Sequence, residues 1–368
     1  IITDSKGDSY QLSPAESSEV SSSGASGTSS PEGRVGTKQT LKVERVDKIG
    51  AFDASRLAHD IGLVRFKPSA QARYAFDDGM EHWYQRSVKL DEYYKPFAKG
   101  YISPWKLIPT GEQDIVTARY EGEKTIDLSR VRFATSPDSP TLPAELHEES
   151  RTWSLKLPAT DAQSSYDVFA IYEGQVIGKL RVVSYPKQSY RVRLVSVNGQ
   201  RVGDVSELSQ HLNNIYQQVG VEFRLSETDS FQAELSNGHI RQDLKKLRDS
   251  YEEQHPLDKD EVCVFVLSSE LSKSSKLEDV EGLMPRKSRF GYIFTGNSPN
   301  GKSLARTLAH ELGHGLFTLQ HSFDDEYGGK QSQNETANLM DYTVGATKLV
   351  AFQWNIISNP APFTALDR

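Results

Sequence analysis

The stretch TLAHELGHGLFTLQH, residues 307–321, decides how the rest of the chain is read. His310, Glu311 and His314 form an H-E-x-x-H pattern within it. An α-helix repeats every ~3.6 residues, so the two histidines fall one turn apart on one face and can grip a single metal ion. Glu311 follows His310 directly, placed to take a proton from a metal-bound water. With His321 the window holds three of the chain's nine histidines, a clustering that packing alone explains poorly. Asn300, Gly301 and Ser303 offer cap chemistry ahead of the helix. Leu304, Leu308, Leu312 and Leu316 recur at helical spacing and are expected to face the core. Gly313 and Gly315 each cost a helix interior roughly 1 kcal/mol against Ala, so each needs a reason: a close backbone approach or an early helix end.

Imidazole donors beside a glutamate fit Zn2+ better than magnesium or calcium, which prefer oxygen. A catalytic zinc keeps three protein ligands and one open position. His310 and His314 supply two. His321 lies seven residues past His314, and an unbroken helix would carry it ~10 Å further along the axis, out of reach. For His321 to be the third ligand the chain must leave the helix and double back, and Gly315 offers the freedom to do so. Asp324, Asp325 and Glu335 are the carboxylate alternatives.

These residues resemble the metzincin clan of zinc peptidases, whose motif is HExxHxxGxxH with a methionine-bearing turn further on. Here six residues separate HELGH from His321, where the clan has five; in strict register the clan's glycine falls on Phe317 and its third histidine on Gln320. The second part of the resemblance is Asn338-Leu339-Met340-Asp341-Tyr342. It implies Met340 in a turn beneath the metal and Tyr342 reaching the metal or the oxyanion. The resemblance covers residues 187–368.

Composition sets the bounds. A chain of 368 residues suggests two or three domains. A net charge of −7 gives no reason to expect nucleic acid or an anionic membrane as partner. No apolar run approaches the ~20 residues of a membrane span. Cys263 is the lone cysteine, which excludes an internal disulfide; in the VCVFVL run it reads as a small buried hydrophobe. A chain opening on Ile1 is expected to be a processed or excised piece of something longer.

The expected fold is multidomain: a β-rich accessory region with an immunoglobulin-like sandwich, then an α+β metzincin-like peptidase domain. Residues 1–37 are rich in Ser, Gly, Thr, Pro and Glu and read as a flexible linker. Residues 38–115 read as a small accessory domain, with Trp83, Tyr84, Tyr93, Tyr94 and Phe97 as aromatic core rather than a carbohydrate-binding surface. Short strands over 116–186, spaced ~8–12 residues apart, suggest the sandwich. Within 187–368, strands over Tyr190–Val197, Val221–Leu225, Val262–Leu267 and Phe290–Thr295 alternate with helices capped at Asp204 and marked by Ile240, Leu244, Leu247 and Tyr251. That order gives a twisted mixed sheet with helices beneath it. Leu349, Phe352 and Ile356 mark a closing helix ended by Asn359-Pro360.

By resemblance, the strand Gly291, Tyr292, Ile293, Phe294 lies on the sheet edge above the cleft and pairs with an extended substrate. Thr343, Val344 and Gly345 would line a side-chain pocket. The tract after His321 reads as a solvated loop, with Asp324, Asp325 and Glu326 as a weaker calcium candidate.

The expected activity is a zinc endopeptidase acting on a protein or peptide, with Glu311 moving the water's proton to the leaving amine. The rival enzyme reading is a zinc hydrolase of another amide, such as cell-wall peptide. It gains if Gly291–Phe294 is buried in mid-sheet. The rival from another class is a non-catalytic adhesion or binding protein with a degenerate zinc fold. The layout resembles the secreted or surface-borne tail of a polymorphic-toxin-type bacterial protein, delivered to a target cell, with an inhibitor or immunity protein as a further candidate partner.

Overall fold

In the computed structural model the described residues are three short strands within 1–60 and, from residue 61 onward, all but 80–92, 95, 99, 162, 236–239, 274–279, 297–300, 325–331 and 361–368. The protein is β-rich and built from several sheets with few helices. It divides into two compact units, Ile1–Asp53 and Ala54–Arg368.

In the first unit Ile2–Thr3, Ser9–Leu12 and Val43–Arg45 form an antiparallel sheet. Two of these strands lie inside the stretch expected as linker. Sheet pairing asks only for a few extended residues with free backbone donors and acceptors, and a Ser/Gly-rich average composition hides a run as short as Ser9-Tyr10-Gln11-Leu12.

In the second unit, two sheets share one core across the expected 115/116 boundary, which falls inside the strand Gln113–Glu121. One sheet orders Ala144–His147, Thr152–Pro158, Gln113–Glu121 and Leu63–Pro68. The other orders Arg132–Ala134, Ser164–Tyr172, Gln175–Ser184, Trp105–Leu107 and Phe76–Asp77. Alternation is the cause: Val116, Ala118 and Tyr120 face Trp153, Leu155 and Leu157 on one layer, and Val168, Ala170, Leu180 and Val182 supply the other. The strands Leu63–Pro68 and Trp105–Leu107, assigned from sequence to a separate small domain, therefore belong to the sandwich. Tyr94 is core as expected: its hydroxyl donates to buried Asp77 at 2.6 Å, and its ring packs with Val350 and Phe352. Trp83 and Tyr84 lie outside the described residues.

The C-terminal part holds a five-stranded sheet. Its strands are β1 (Gln188–Val197), β2 (Val221–Phe231), β3 (Glu261–Ser268), β4 (Gly282–Leu283) and β5 (Phe290–Thr295), in the order β2-β1-β3-β5-β4. All neighbours are parallel except β4, which runs antiparallel to β5. Parallel strands need crossovers, and helices supply them. Helix α1 (Val205–Tyr216) is capped by Asp204, whose carboxylate accepts from Ser206 N at 2.8 Å and Glu207 N at 3.1 Å, a cap that contributes roughly 1 kcal/mol. Helix α2 (Ile240–Gln254) crosses from β2 to β3.

The sheet is covered on both faces rather than on one. Val192, Leu194, Val264 and Ile293 meet Leu208, Leu212 and the next helix, α3 (Gly301–Gly315). Phe265, Phe290 and Tyr292, of opposite parity, meet Leu244, Leu247 and Tyr251 of α2. Tyr216 at the end of α1 donates to Ala309 O at 2.8 Å and so fixes α3 against α1. The closing helix α4 (Ala351–Ser358) ends at Asn359. Ala75, Leu107 and Val183 of the sandwich join the same core as α1 and α3. Among the described residues no helix is long and apolar enough to cross a membrane.

Candidate metal centre

Helix α3 carries His310 and His314, and its geometry brings their Nε2 atoms to 3.1 Å. The chain then turns back. Leu316 and Thr318 donate to the carbonyls of Leu312 and His314 at 3.0 and 3.1 Å, and Leu319 donates to Gly313 O at 2.9 Å. The left-handed residue of this reversal is Thr318, with φ 56°, not Gly315. Gly315 is still helical, and glycine is needed there because a side chain would collide with Met284. His321 returns with its Nε2 3.1 Å from that of His314, and the donor atoms of the three histidines all lie within 4.8 Å of one another. This trio can hold a metal ion.

The hydrogen bonds fix what each ring presents. His310 Nδ1 sits 2.9 Å from Leu339 O, and His314 Nδ1 sits 2.7 Å from Leu319 O. A carbonyl only accepts, so both Nδ1 atoms carry the proton and both Nε2 atoms carry a lone pair. His321 Nδ1 faces Asp324 Oδ2 at 3.7 Å, and its backbone N–H donates to the same oxygen at 3.0 Å. Converging nitrogen lone pairs repel one another unless a cation lies between them, and outer partners of this kind are what orient imidazole ligands. Burial, with the neighbouring His314, pulls His310 down to about 3; burial, with His321, pulls His314 down to about 4. Both rings therefore stay neutral, as a ligand must.

Met340 is fully buried and lies against α3 at Gly313. The missing side chain of Gly313 makes room for it: a Cβ there would sit 2.8 Å from Met340 Sδ. The turn is held from within. Asn338 Oδ1 accepts from Met340 N at 2.9 Å, and Gln353 Oε1 accepts from Asn338 Nδ2 at 2.8 Å. The Asp341 carboxylate accepts from Asn334 N, Thr336 N, Thr336 Oγ1 and Tyr342 N, all at 2.7–2.8 Å. Tyr342, 43% exposed, brings its hydroxyl to 3.1 Å from His321 Nε2.

Glu311 keeps 6% exposure. Its carboxyl lies against Gly282 of β4 and accepts from the backbone N–H of Met284. Burial pushes it up to about 8, against the pull of that hydrogen bond and of the Arg306 charge. A cation at the trio would act against that rise.

Gly291, Tyr292, Ile293 and Phe294 are not an edge. They are buried in β5, paired with β3 on one side and with β4 on the other, where Gly282 faces Ile293 and Leu283 faces Tyr292. Phe294 N also donates to Glu281 O at 2.9 Å. The edge above Glu311 is β4 itself, and among the described residues no strand pairs with its outer side. Two paired residues are too few for alternation to announce.

Asp324 braces His321 from behind, and Glu335 is exposed, accepting from Ser332 N at 3.3 Å. Asp325 and Glu326 lie outside the described residues, as does Asn300. In the loop after Tyr342, Val344 is 99% exposed, whereas the Thr343 hydroxyl is buried and has no hydrogen-bond partner. Sequence reading missed Gly282, Met284 and Arg306. Only Arg306 left a signal: it precedes His310 by four residues, on the same helical face.

No protein-family model and no curated protein matches the chain. Among solved structures it is similar to a 2,6-sialyltransferase of Vibrionaceae Photobacterium sp. JT-ISH-224, crystallised with CMP and lactose, at 14% identity and a TM-score of 0.19. That match covers 45% of this chain and 35% of the other, and a likeness so slight carries no argument.

Proposed function

We propose that the chain is a zinc-dependent endopeptidase with a metzincin-like catalytic domain behind an immunoglobulin-like sandwich. The observation that carries the proposal is the convergence of three imidazoles, with neighbouring Nε2 atoms 3.1 Å apart and two Nδ1 atoms tied to carbonyls. Tetrahedral zinc with Zn–N bonds of ~2.0–2.1 Å separates its ligands by about 3.4 Å, so the trio fits with small adjustments. An all-nitrogen set disfavours calcium and magnesium. Zinc held there would supply Lewis acidity toward a carbonyl oxygen and acidify a water.

The chain's own residues do the rest. Glu311 accepts the proton of the attacking water and passes it to the departing amine. The Tyr342 hydroxyl, beside His321, is positioned to donate to the developing oxyanion. The outer side of β4 offers backbone groups to an extended peptide. Glu311→Gln is expected to retain zinc and fold and to lose peptide hydrolysis; turnover at the wild-type rate in that variant, free of contaminating protease, would refute the assignment.

A second reading draws on the burial of Gly291–Phe294 in mid-sheet, which removes that strand as a dock for an extended protein, and on the shortness of β4. With only Gly282 and Leu283 paired, the edge grips a short peptide better than a long one, which favours another amide such as cell-wall peptide. Comparison of turnover on a peptide library and on muropeptides separates the two.

A further inference from the structure

Arg306 stands one helical turn before His310 on the same face of α3. Its guanidinium donates to the carbonyl of Asp341 and, at 3.4 Å, to that of Leu339. These two carbonyls flank Met340. The Leu339 carbonyl is also the acceptor that holds His310 Nδ1 at 2.9 Å. One backbone oxygen is thus shared by a metal-binding imidazole and by Arg306. The arginine's Nε is buried and has no hydrogen-bond partner. Its charged and polar surroundings include Glu281, Asp341, Glu311 and Tyr342.

Packing alone is a poor explanation for this side chain. Burying a guanidinium with one N–H unmet is unfavourable, and an apolar residue of the same length would fill the space without that loss. What an apolar residue could not do is span two carbonyls. Arginine does so through one terminal nitrogen, Nη2, which donates to both; lysine keeps charge and donors but carries them on a flexible stem instead of a rigid plane.

We infer that Arg306 is a positioning residue of the metal centre, tying the Leu339–Asp341 turn to α3 so that His310 keeps its orientation. Its partner is the backbone on either side of Met340, and it acts on the metal through His310 and on Tyr342 through Asp341. The inference rests on the metal-centre reading and goes beyond it by assigning a role outside the three ligands and the general base.

The test uses the full chain, stripped of metal and titrated with zinc and with cobalt(II), whose visible absorption reports ligand geometry. Arg306→Met is expected to melt near the wild type when metal-free. It should bind zinc about 10- to 100-fold more weakly, in the range of other outer-partner losses, with a shifted cobalt band. Arg306→Lys keeps the charge and an ammonium with three N–H donors but not the rigid guanidinium plane, and should recover part of that loss, remaining several-fold (~3–10-fold) weaker than wild type. Wild-type affinity and an unshifted cobalt band in Arg306→Met would overturn the inference while leaving the metal centre standing. If Arg306→Met does not fold, Arg306→Lys decides: wild-type affinity and spectrum overturn the inference, and weakened binding with a shifted band supports it. A wild-type protein that takes up neither ion overturns both the inference and the proposed function.

Discussion

Substituting Gly282 with alanine perturbs the proposed general base without touching a metal ligand. A Cβ at this position would lie 2.6 Å from Glu311 Cγ, 2.7 Å from Oε1 and 2.8 Å from Cδ. Ordinary contact begins at 3.4 Å, so the gap must open by about 0.6–0.8 Å. Two movements can supply it. The strand β4 can lift away, giving up its pairing with β5 and the Phe294–Glu281 hydrogen bond, each bond being worth about 0.5–1.5 kcal/mol. Alternatively the Glu311 carboxyl can swing aside, giving up one hydrogen bond from Met284, worth about 1.5–3 kcal/mol if the group is charged. Several bonds hold the strand and one holds the carboxyl, so the carboxyl is expected to move.

A catalytic group displaced by something near 1 Å loses on the order of 10²-fold in rate, or about 2.7 kcal/mol of barrier. Gly282→Ala should therefore lower kcat about a hundredfold on a peptide substrate, with KM nearly unchanged and one zinc per chain retained. The assay pairs steady-state kinetics with metal analysis and a thermal melt. A kcat within twofold of wild type, with zinc in place, would refute the reasoning, because the carboxyl's seat against Gly282 would then be irrelevant to turnover.

Gly313→Ala gains about 1 kcal/mol of helix propensity but drives a Cβ to 2.8 Å from Met340 Sδ, an overpacking worth about 1–3 kcal/mol, so calorimetry should show a net loss of up to ~2 kcal/mol. A stabilised variant would mean that Met340 does not press on the helix. The Asp341 carboxyl is raised by burial but held below its ordinary value overall by hydrogen bonds from Thr336, Asn334 and Tyr342. Its stabilising contribution is present above the unfolded value of about 3.9 and is lost as pH falls through the lower folded value. Urea unfolding between pH 2.5 and 6 should therefore show a shallower acid fall in Asp341→Asn than in wild type; equal slopes would contradict this. His310 and His314, depressed to about 3 and about 4, leave proton competition for the metal weak until well below the ordinary histidine range. Zinc release on acidification should accordingly have its midpoint well below the ~6.5 of free histidine, and a midpoint at ~6.5 would count against a buried trio.

The parts of this protein that the sequence discloses are those written in a repeating pattern. A spacing of four residues between His310 and His314 is enough to put both rings on one face, and the alternation in Gln113–Glu121, Thr152–Pro158 and β1 announces strands that the structure contains. What stayed hidden lacks a period or depends on distant partners. The reversal to His321 turns on Thr318, a residue type with no special liking for φ 56°, held by bonds back to α3. Gly315 looked like the hinge because glycine permits one, yet its space is taken by Met284, thirty-one positions earlier in the chain. The same applies to β5. An apolar run such as FGYIFT fits an edge strand or an interior one, and only the two-residue strand β4 beside it decides for the interior. The boundary drawn at 115/116 failed because pairing of Leu63–Pro68 with Gln113–Glu121 joins residues some fifty positions apart.

X-ray absorption at the zinc edge, on protein purified without chelator, tests the central claim most directly. The account predicts one zinc per chain with three nitrogen neighbours at ~2.0–2.1 Å and one oxygen, and loss of that signature in His321→Ala. Absence of zinc, or a first shell unchanged when His321 is removed, would contradict it.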